Sequence, residues 1–94
     1  MEWIDIEPSA DEQFCRVEHF EVLKPHKGSH VAFGIAVREY LNPPDPAMKF
    51  VATADKQTNQ NSATYTPMGW GNSQGLALWE CVLAIRKFPY EPLE

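Results

Sequence analysis

This sequence predicts an α+β fold in which an antiparallel sheet of three to five strands is packed by one C-terminal helix. Within residues 29–40, large apolar side chains at 31, 33, 35 and 37 alternate with small residues at 32, 34 and 36, the period of two that is typical of a half-buried strand. Residues 73–87 follow a polar cap and are apolar around most of a helical wheel. Because 94 residues is the size of one domain, we expect 1–94 to fold as a single domain.

The first twelve residues form an acidic segment that we expect to be an N-terminal arm or an edge strand. Trp3, Ile4 and Ile6 alternate partly with acids, and Pro8 ends the pattern. The segment contains five carboxylates and no Lys or Arg, whereas the other residues balance eight acids against eight bases, so it accounts for the whole net charge of −5. These carboxylates belong to Glu2, Asp5, Glu7, Asp11 and Glu12. Such a block either attracts a basic protein surface or is a solvated arm.

Residues 10–23 fit both a helix and a strand. The stretch Ser9-Ala10-Asp11-Glu12 matches a capping box, whereas the apolar residues that follow form no single stripe on a helical wheel. Pro25 and Gly28 then predict a turn into the strand at 29–40. Because a turn between two strands makes a hairpin, we favour a strand for 13–23.

The middle of the chain predicts two further short strands. Three prolines make 42–46 a stiff loop, after which 47–54 is a strand and 55–62 a polar hairpin loop. A last short strand is expected at 63–66. It leads into the glycine-flanked tryptophan of Gly69-Trp70-Gly71, which we interpret as a loop before the helix.

The C-terminal helix is predicted over 73–87. Asn72 or Ser73 caps its first amides, and Pro89 sets its end. Its apolar side chains cover so much of the circumference that we expect burial against the sheet and against a partner or a second copy.

The glycine-rich connection from Gly69 to Gly75 follows a predicted strand and opens a helix, as phosphate-binding loops do. It lacks the Lys-Ser/Thr pair of a P-loop and the spacing of a dinucleotide-binding fingerprint. We therefore expect a structural turn, in which Trp70 either fills the core or is exposed as an anchor for a protein partner.

Cys15, His19, His26 and His30 are residue types that bind metals, but their spacing matches no standard zinc pattern, and we expect neither a metal nor another cofactor. Cys81 lies within the apolar helix, where thiols are usually inert, and Cys15 has no evident pocket. No catalytic residues and no enzyme activity are therefore predicted.

The partner classes are narrowed by charge and hydropathy. The eight bases are dispersed over an acidic chain, so direct nucleic-acid binding is not expected. No apolar run approaches the roughly 20 residues that span a bilayer. The acidic N-terminus is unlike a signal peptide, and we expect a cytoplasmic protein without membrane contact.

In size, acidity and predicted layout, the chain resembles the small inhibitor proteins of phages and mobile elements, anti-CRISPR proteins among them. The resemblance is one of overall character. It implies a protein-binding inhibitor of a nucleic-acid-handling host defence complex, with the acidic segment mimicking phosphates against a basic surface. The partner-binding residues are then Glu2, Trp3, Asp5, Glu7, Asp11, Glu12 and Trp70. The alternative is a structural or regulatory domain without catalytic activity that self-associates, as a homodimer, through apolar surface on the helix.

Overall fold

Each strand of the sheet pairs with the next strand along the chain. A computed structural model describes residues 7–92 and contains strands β1 (Cys15–His26), β2 (Ser29–Tyr40), β3 (Phe50–Ala54) and β4 (Met68–Gly71), followed by helix α1 (Gln74–Lys87). The sheet order is β1-β2-β3-β4, and all three pairings are antiparallel. The predicted α+β fold is therefore confirmed.

The first two strands form a long hairpin, which decides between helix and strand for 10–23. Lys27 and Gly28 are the two turn residues, and both have positive φ angles, 48° and 77°. This conformation is that of a type I′ turn, whose twist matches paired strands. Pro25 was predicted to lie in the turn but lies within β1, opposite His30. The capping-box residues close a single turn at residues 9–12 and start no helix.

The core lies between the sheet and the helix. Phe33, Ile35 and Val37 of β2 are at most 2% exposed, which confirms the predicted large-residue face of this strand. They pack with small residues of β3 and with one face of the helix; these residues are Ala52, Ala54, Ala77, Cys81 and Ile85. The spacing of four residues along α1 puts its three buried side chains on one stripe.

The predicted tryptophan loop is wrong, because residues 68–71 form strand β4. The strand predicted at 63–66 contributes only an isolated bridge between Thr58 and Tyr65. Gly69 allows the helix backbone to pack directly against β4. A Cβ at this position would lie 2.3 Å from the carbonyl oxygen of Ala77 and 2.5 Å from the nitrogen of Cys81. Glycine within a strand often marks such a close backbone approach.

Both ends of the helix are fixed by side chains. Ser73 Oγ accepts a hydrogen bond from the amide of Leu76 at 3.2 Å, which confirms the predicted cap. At the other end Lys24 Nζ donates to the carbonyl oxygens of Ile85 at 2.8 Å and Phe88 at 2.6 Å. Burial lowers the pKa of Lys24, whereas the two carbonyls and the helix dipole favour its charged form.

The connection between β2 and β3 contains a short 3-10 turn at Pro46–Met48, so β3 begins at Phe50 and not at 47 as predicted. Asp45 caps this turn, because its Oδ1 accepts a hydrogen bond from the amide of Ala47 at 2.9 Å. The capped turn gives the proline-rich loop a defined position beside β4.

Candidate partner-binding site

Trp70 lies on the face of the sheet that α1 does not cover, which we call the open face. It pairs with Val51, which in turn pairs with Arg38. Within residues 7–92 no helix or strand packs on this face, and Trp70 is 45% exposed. The structure thus places the tryptophan as an exposed residue and not as a plug in the core.

A shallow cavity of about 330 Å³ adjoins this tryptophan, and we call it the Trp70 pocket. Trp70 of β4, Val51 of β3 and Arg38 of β2 form one row across the sheet, and Tyr40 lies two residues along β2 from Arg38 on the same face. Strands β2 and β4 are about 10 Å apart, because neighbouring strands lie roughly 4.8 Å apart. The loop between β2 and β3 supplies most of the remaining lining. The complete lining is Gln13, Tyr40, Pro44, Asp45, Met48, Val51 and Trp70.

Three polar groups of the pocket form no hydrogen bond within the described part of the chain. The indole N–H of Trp70, the hydroxyl of Tyr40 and the amide of Gln13 make no hydrogen bond to any other residue in the described range 7–92. An apolar cavity with a few unpaired polar groups is typical of a site that binds a ligand or a partner.

The acidic segment borders the Trp70 pocket. Gln13 lines this pocket and also a neighbouring cavity that is lined by Glu7 and Glu12. Glu7, Asp11 and Glu12 are all exposed, and Asp45 adds a further exposed carboxylate in the pocket itself. The backbone amide of Ser9 donates to Glu12 Oε1 at 2.7 Å, and this hydrogen bond lowers the pKa of Glu12. The site therefore combines an apolar centre with a negatively charged margin.

The structure brings together three of the seven residues that the sequence predicts for partner binding, namely Glu7, Glu12 and Trp70. Asp11 is exposed in the same segment but lines neither cavity. Glu2, Trp3 and Asp5 lie outside the described residues. Sequence reasoning missed Tyr40 and Val51, which join the site through the pairing of β2, β3 and β4. It also missed Pro44 and Met48, which the loop between β2 and β3 supplies. The period of two in β2 was a usable signal for Tyr40, because it assigns this residue to the small-residue face.

The cysteines and histidines are separated by the sheet. Cys15 and His19 lie on the open face, whereas His26 stacks edge-on against Tyr90 at 5.1 Å between ring centroids. In residues 7–92 no three side chains of His, Cys, Asp or Glu are close enough to hold a metal. Burial raises the pKa of Cys81 to about 11 and also raises that of Cys15, against an opposing effect of Arg38. Both thiols are therefore protonated at neutral pH.

A second exposed apolar surface runs along the helix. Leu76, Trp79 and Leu83 are exposed at spacings of three and four residues, and we call them the helix stripe. The guanidinium carbon of Arg86 lies 5.1 Å from the ring centroid of Trp79. The stripe lies on the helix surface away from the buried residues Ala77, Cys81 and Ile85.

Comparison with known proteins adds no relative to these observations. No protein-family model, curated protein or solved structure matches this chain. Across residues 7–92 no helix has the length and apolar character needed to cross a bilayer. The Trp70 pocket and its acidic margin are therefore the features of this chain that bear on its function.

Proposed function

We propose that this protein is a non-catalytic inhibitor that binds a partner protein through the Trp70 pocket and the adjoining acidic segment. One observation carries the proposal. Two features that are distant in sequence, the exposed Trp70 and the carboxylates of Glu7 and Glu12, line neighbouring cavities that share Gln13. A continuous surface with an apolar centre and a charged margin is the usual anatomy of a protein interface.

The two parts of this surface have different roles in binding. A tryptophan that enters a partner's interface is commonly a hot spot, worth 2 kcal/mol or more, so Trp70 provides most of the affinity. Carboxylates at the margin of an interface chiefly increase the rate of association and make it salt-dependent. Because its pKa is lowered, Glu12 keeps its charge to a more acidic pH than an ordinary glutamate.

The acidic margin favours a partner with a basic surface. Lys and Arg that contact phosphates line the surfaces of proteins that handle nucleic acids, and carboxylates can occupy the same positions. The overall resemblance to phage-encoded inhibitors supports a host defence complex as the target. In this proposal the protein excludes nucleic acid from the partner and does not bind nucleic acid itself.

The test is affinity capture with the full-length tagged protein from nuclease-treated lysate, read by quantitative mass spectrometry. Three variants accompany the wild type: Trp70→Ala, Trp79→Ala, and a charge variant in which the five acids of residues 1–12 become Asn or Gln. Trp79 is the matched control, because it is 49% exposed against 45% for Trp70 but lies on the helix.

We expect one partner complex that the wild type and Trp79→Ala retain and that Trp70→Ala loses. The charge variant should retain less of it, and the difference should shrink as salt concentration rises. Equal capture by Trp70→Ala would contradict the site. Unchanged affinity of the charge variant would remove phosphate mimicry while leaving Trp70 as the anchor.

The exposed helix stripe favours self-association as a second candidate function. Its spacing of three and four residues is that of a seam between two packed helices. In this case sedimentation analysis at increasing concentration shows a dimer that Trp79→Ala weakens and Trp70→Ala does not. A monomeric mass at high concentration would exclude a dimer formed through the stripe.

A further inference from the structure

We infer that the Trp70 pocket binds a proline-rich partner segment in the polyproline II conformation with an Arg or Lys at one end. This inference rests on the proposed function and assigns the chemistry of the partner at the same site. It depends on three observations: the aromatic lining, the unpaired donors and the position of the carboxylates.

The lining suits proline rings. Trp70 lies beside Val51 in the next strand, Tyr40 lies diagonally across Val51 in β2, and Pro44 and Met48 complete a mostly apolar lining. Aromatic-lined grooves recognise proline-rich segments because the flat rings pack against pyrrolidine rings. The polyproline II conformation is largely preformed in such segments, so little conformational entropy is lost on binding.

The unpaired donors distinguish this ligand from a helix or a strand. Trp70, Tyr40 and Gln13 each present a donor with no partner in the described part of the chain. A polyproline II segment has no internal hydrogen bonds, so its carbonyl oxygens are free to accept from these groups. The carbonyls of a helix are already used within the helix. A strand would add at the outer edge of β4, whereas the Trp70 pocket lies on the face of the sheet, over Val51 of β3.

The carboxylates at one end of the pocket favour a basic residue next to the proline run of the ligand. Asp45 lies in the pocket lining and uses Oδ1 to cap the 3-10 turn, which leaves Oδ2 for a ligand. No Lys or Arg within residues 7–92 forms a salt bridge to Asp45. Glu7 and Glu12 continue the negative charge beyond Gln13. A basic residue next to the proline run would therefore meet carboxylates at this end of the pocket.

The probe for the test is a synthetic peptide of seven prolines flanked by one arginine at each end. Two matched peptides accompany it, one with alanines in place of the prolines and one with glutamines in place of the arginines. Binding to the full-length protein is measured by calorimetry and by the indole N–H resonance of Trp70, which is assigned through Trp70→Ala. Trp79→Ala again serves as the control protein.

We expect the arginine-flanked proline peptide to bind at least tenfold more tightly than the alanine peptide. The Trp70 resonance should move downfield as its N–H donates to a carbonyl. Trp70→Ala should lower the affinity at least tenfold, and Trp79→Ala should leave it unchanged. The glutamine-flanked peptide should bind several-fold more weakly, with less dependence on salt.

Three results would overturn the inference. They are no binding of the proline peptide at millimolar concentration, equal binding of the alanine peptide, and a Trp70 resonance that responds to protein concentration instead of peptide. The last result would place a second copy in the pocket. If capture of a partner still depends on Trp70 in these cases, the proposed function stands and only the ligand class is wrong.

Discussion

The two faces of the sheet differ in which side chains they bury and which they expose. On the covered face, Phe33, Ile35 and Val37 of β2 are almost fully buried beneath α1. On the open face, the same strand presents Ala32, Gly34 and Ala36, which have little apolar surface to bury. Large apolar residues nevertheless remain exposed there, with Trp70 at 45% and Leu23 at 58%.

This difference separates stability from binding. Burial of large side chains on the covered face provides the free energy of folding. Apolar residues that stay exposed add little to stability, and clusters of them with a polar margin commonly mark interaction sites. We therefore expect substitutions on the covered face to change the free energy of unfolding and those on the open face to change partner affinity.

The largest expected effect is that of Phe33→Ala, which removes a fully buried ring from the covered face. The free energy of unfolding should fall by about 3 to 5 kcal/mol, as is usual for a buried aromatic residue. Urea denaturation measures it. Leu23→Ala, in the neighbouring strand but on the open face, should change the value by less than about 1 kcal/mol. Similar losses of unfolding free energy in both variants would contradict the expected difference between the two faces.

The second effect tests the close contact between β4 and the helix. Gly69→Ala introduces a methyl group against backbone atoms of Ala77 and Cys81, which cannot rotate away. We expect a loss of about 3 kcal/mol, the upper end of the usual range for overpacking. Gly75→Ala is the control, because a Cβ there meets nothing within 4 Å. It should stabilise the helix by up to about 1 kcal/mol. Thermal melts of both variants that shift alike would argue against the packing role.

The third effect is a loss of stability at alkaline pH that comes from Cys81. Its folded pKa of about 11 is raised above the ordinary 9.0, because the thiol is buried in the core. Above pH 9 the unfolded thiol ionises while the folded thiol keeps its proton, so the folded state loses relative stability until about pH 11. The loss should be about 2 to 3 kcal/mol, since one pKa unit corresponds to about 1.4 kcal/mol.

The control for this pH dependence is Cys81→Ala, which removes the thiol and leaves the surface groups in place. Denaturant midpoints of both proteins are measured from pH 8 to 11. The wild type should lose stability more steeply than the variant over this range. Parallel pH profiles would show that the pKa of the Cys81 thiol is the same in the folded and unfolded states.

The smallest effect concerns Lys24, whose ammonium group joins the hairpin to the end of the helix. Lys24→Met keeps the apolar stem but removes the donors to Ile85 and Phe88. A loss of about 1.5 kcal/mol is expected for hydrogen bonds to a charged group. Amide hydrogen exchange should accelerate in the last turn of α1 and stay unchanged at Leu76 in the first turn. Uniform acceleration along the helix would indicate a general loss of stability instead.

The sequence predicted the fold where one local pattern decides it. Strict alternation located β2, and the Ser73 cap with Pro89 located α1. Residues 13–23 were ambiguous because an edge strand with charged residues on both faces shows no clear alternation. Gly69 and Gly71 were misinterpreted as turn residues, because glycine in a turn and glycine under a closely packed helix look the same in a sequence.

The candidate site was predicted only in part, for a similar reason. Trp70 and the acidic segment can be recognised in the sequence alone, because tryptophan is a rare residue and the acids form a block of like charge. Their proximity through Gln13, and the contribution of Tyr40, Met48 and Val51, depend on strand pairing. No local pattern contains that information, since the register of a sheet is set by contacts distant in sequence.

The most direct test of this account measures stability and partner affinity on the same preparations of Trp70→Ala and Trp79→Ala. For Trp70→Ala we predict that the free energy of unfolding falls by less than about 2 kcal/mol, because the side chain is only partly buried. Affinity for the captured partner should fall about 30-fold or more, the equivalent of a 2 kcal/mol hot spot. Trp79→Ala should keep that affinity. Unchanged affinity of Trp70→Ala, or equal losses in both variants, would contradict the assignment of binding to the open face.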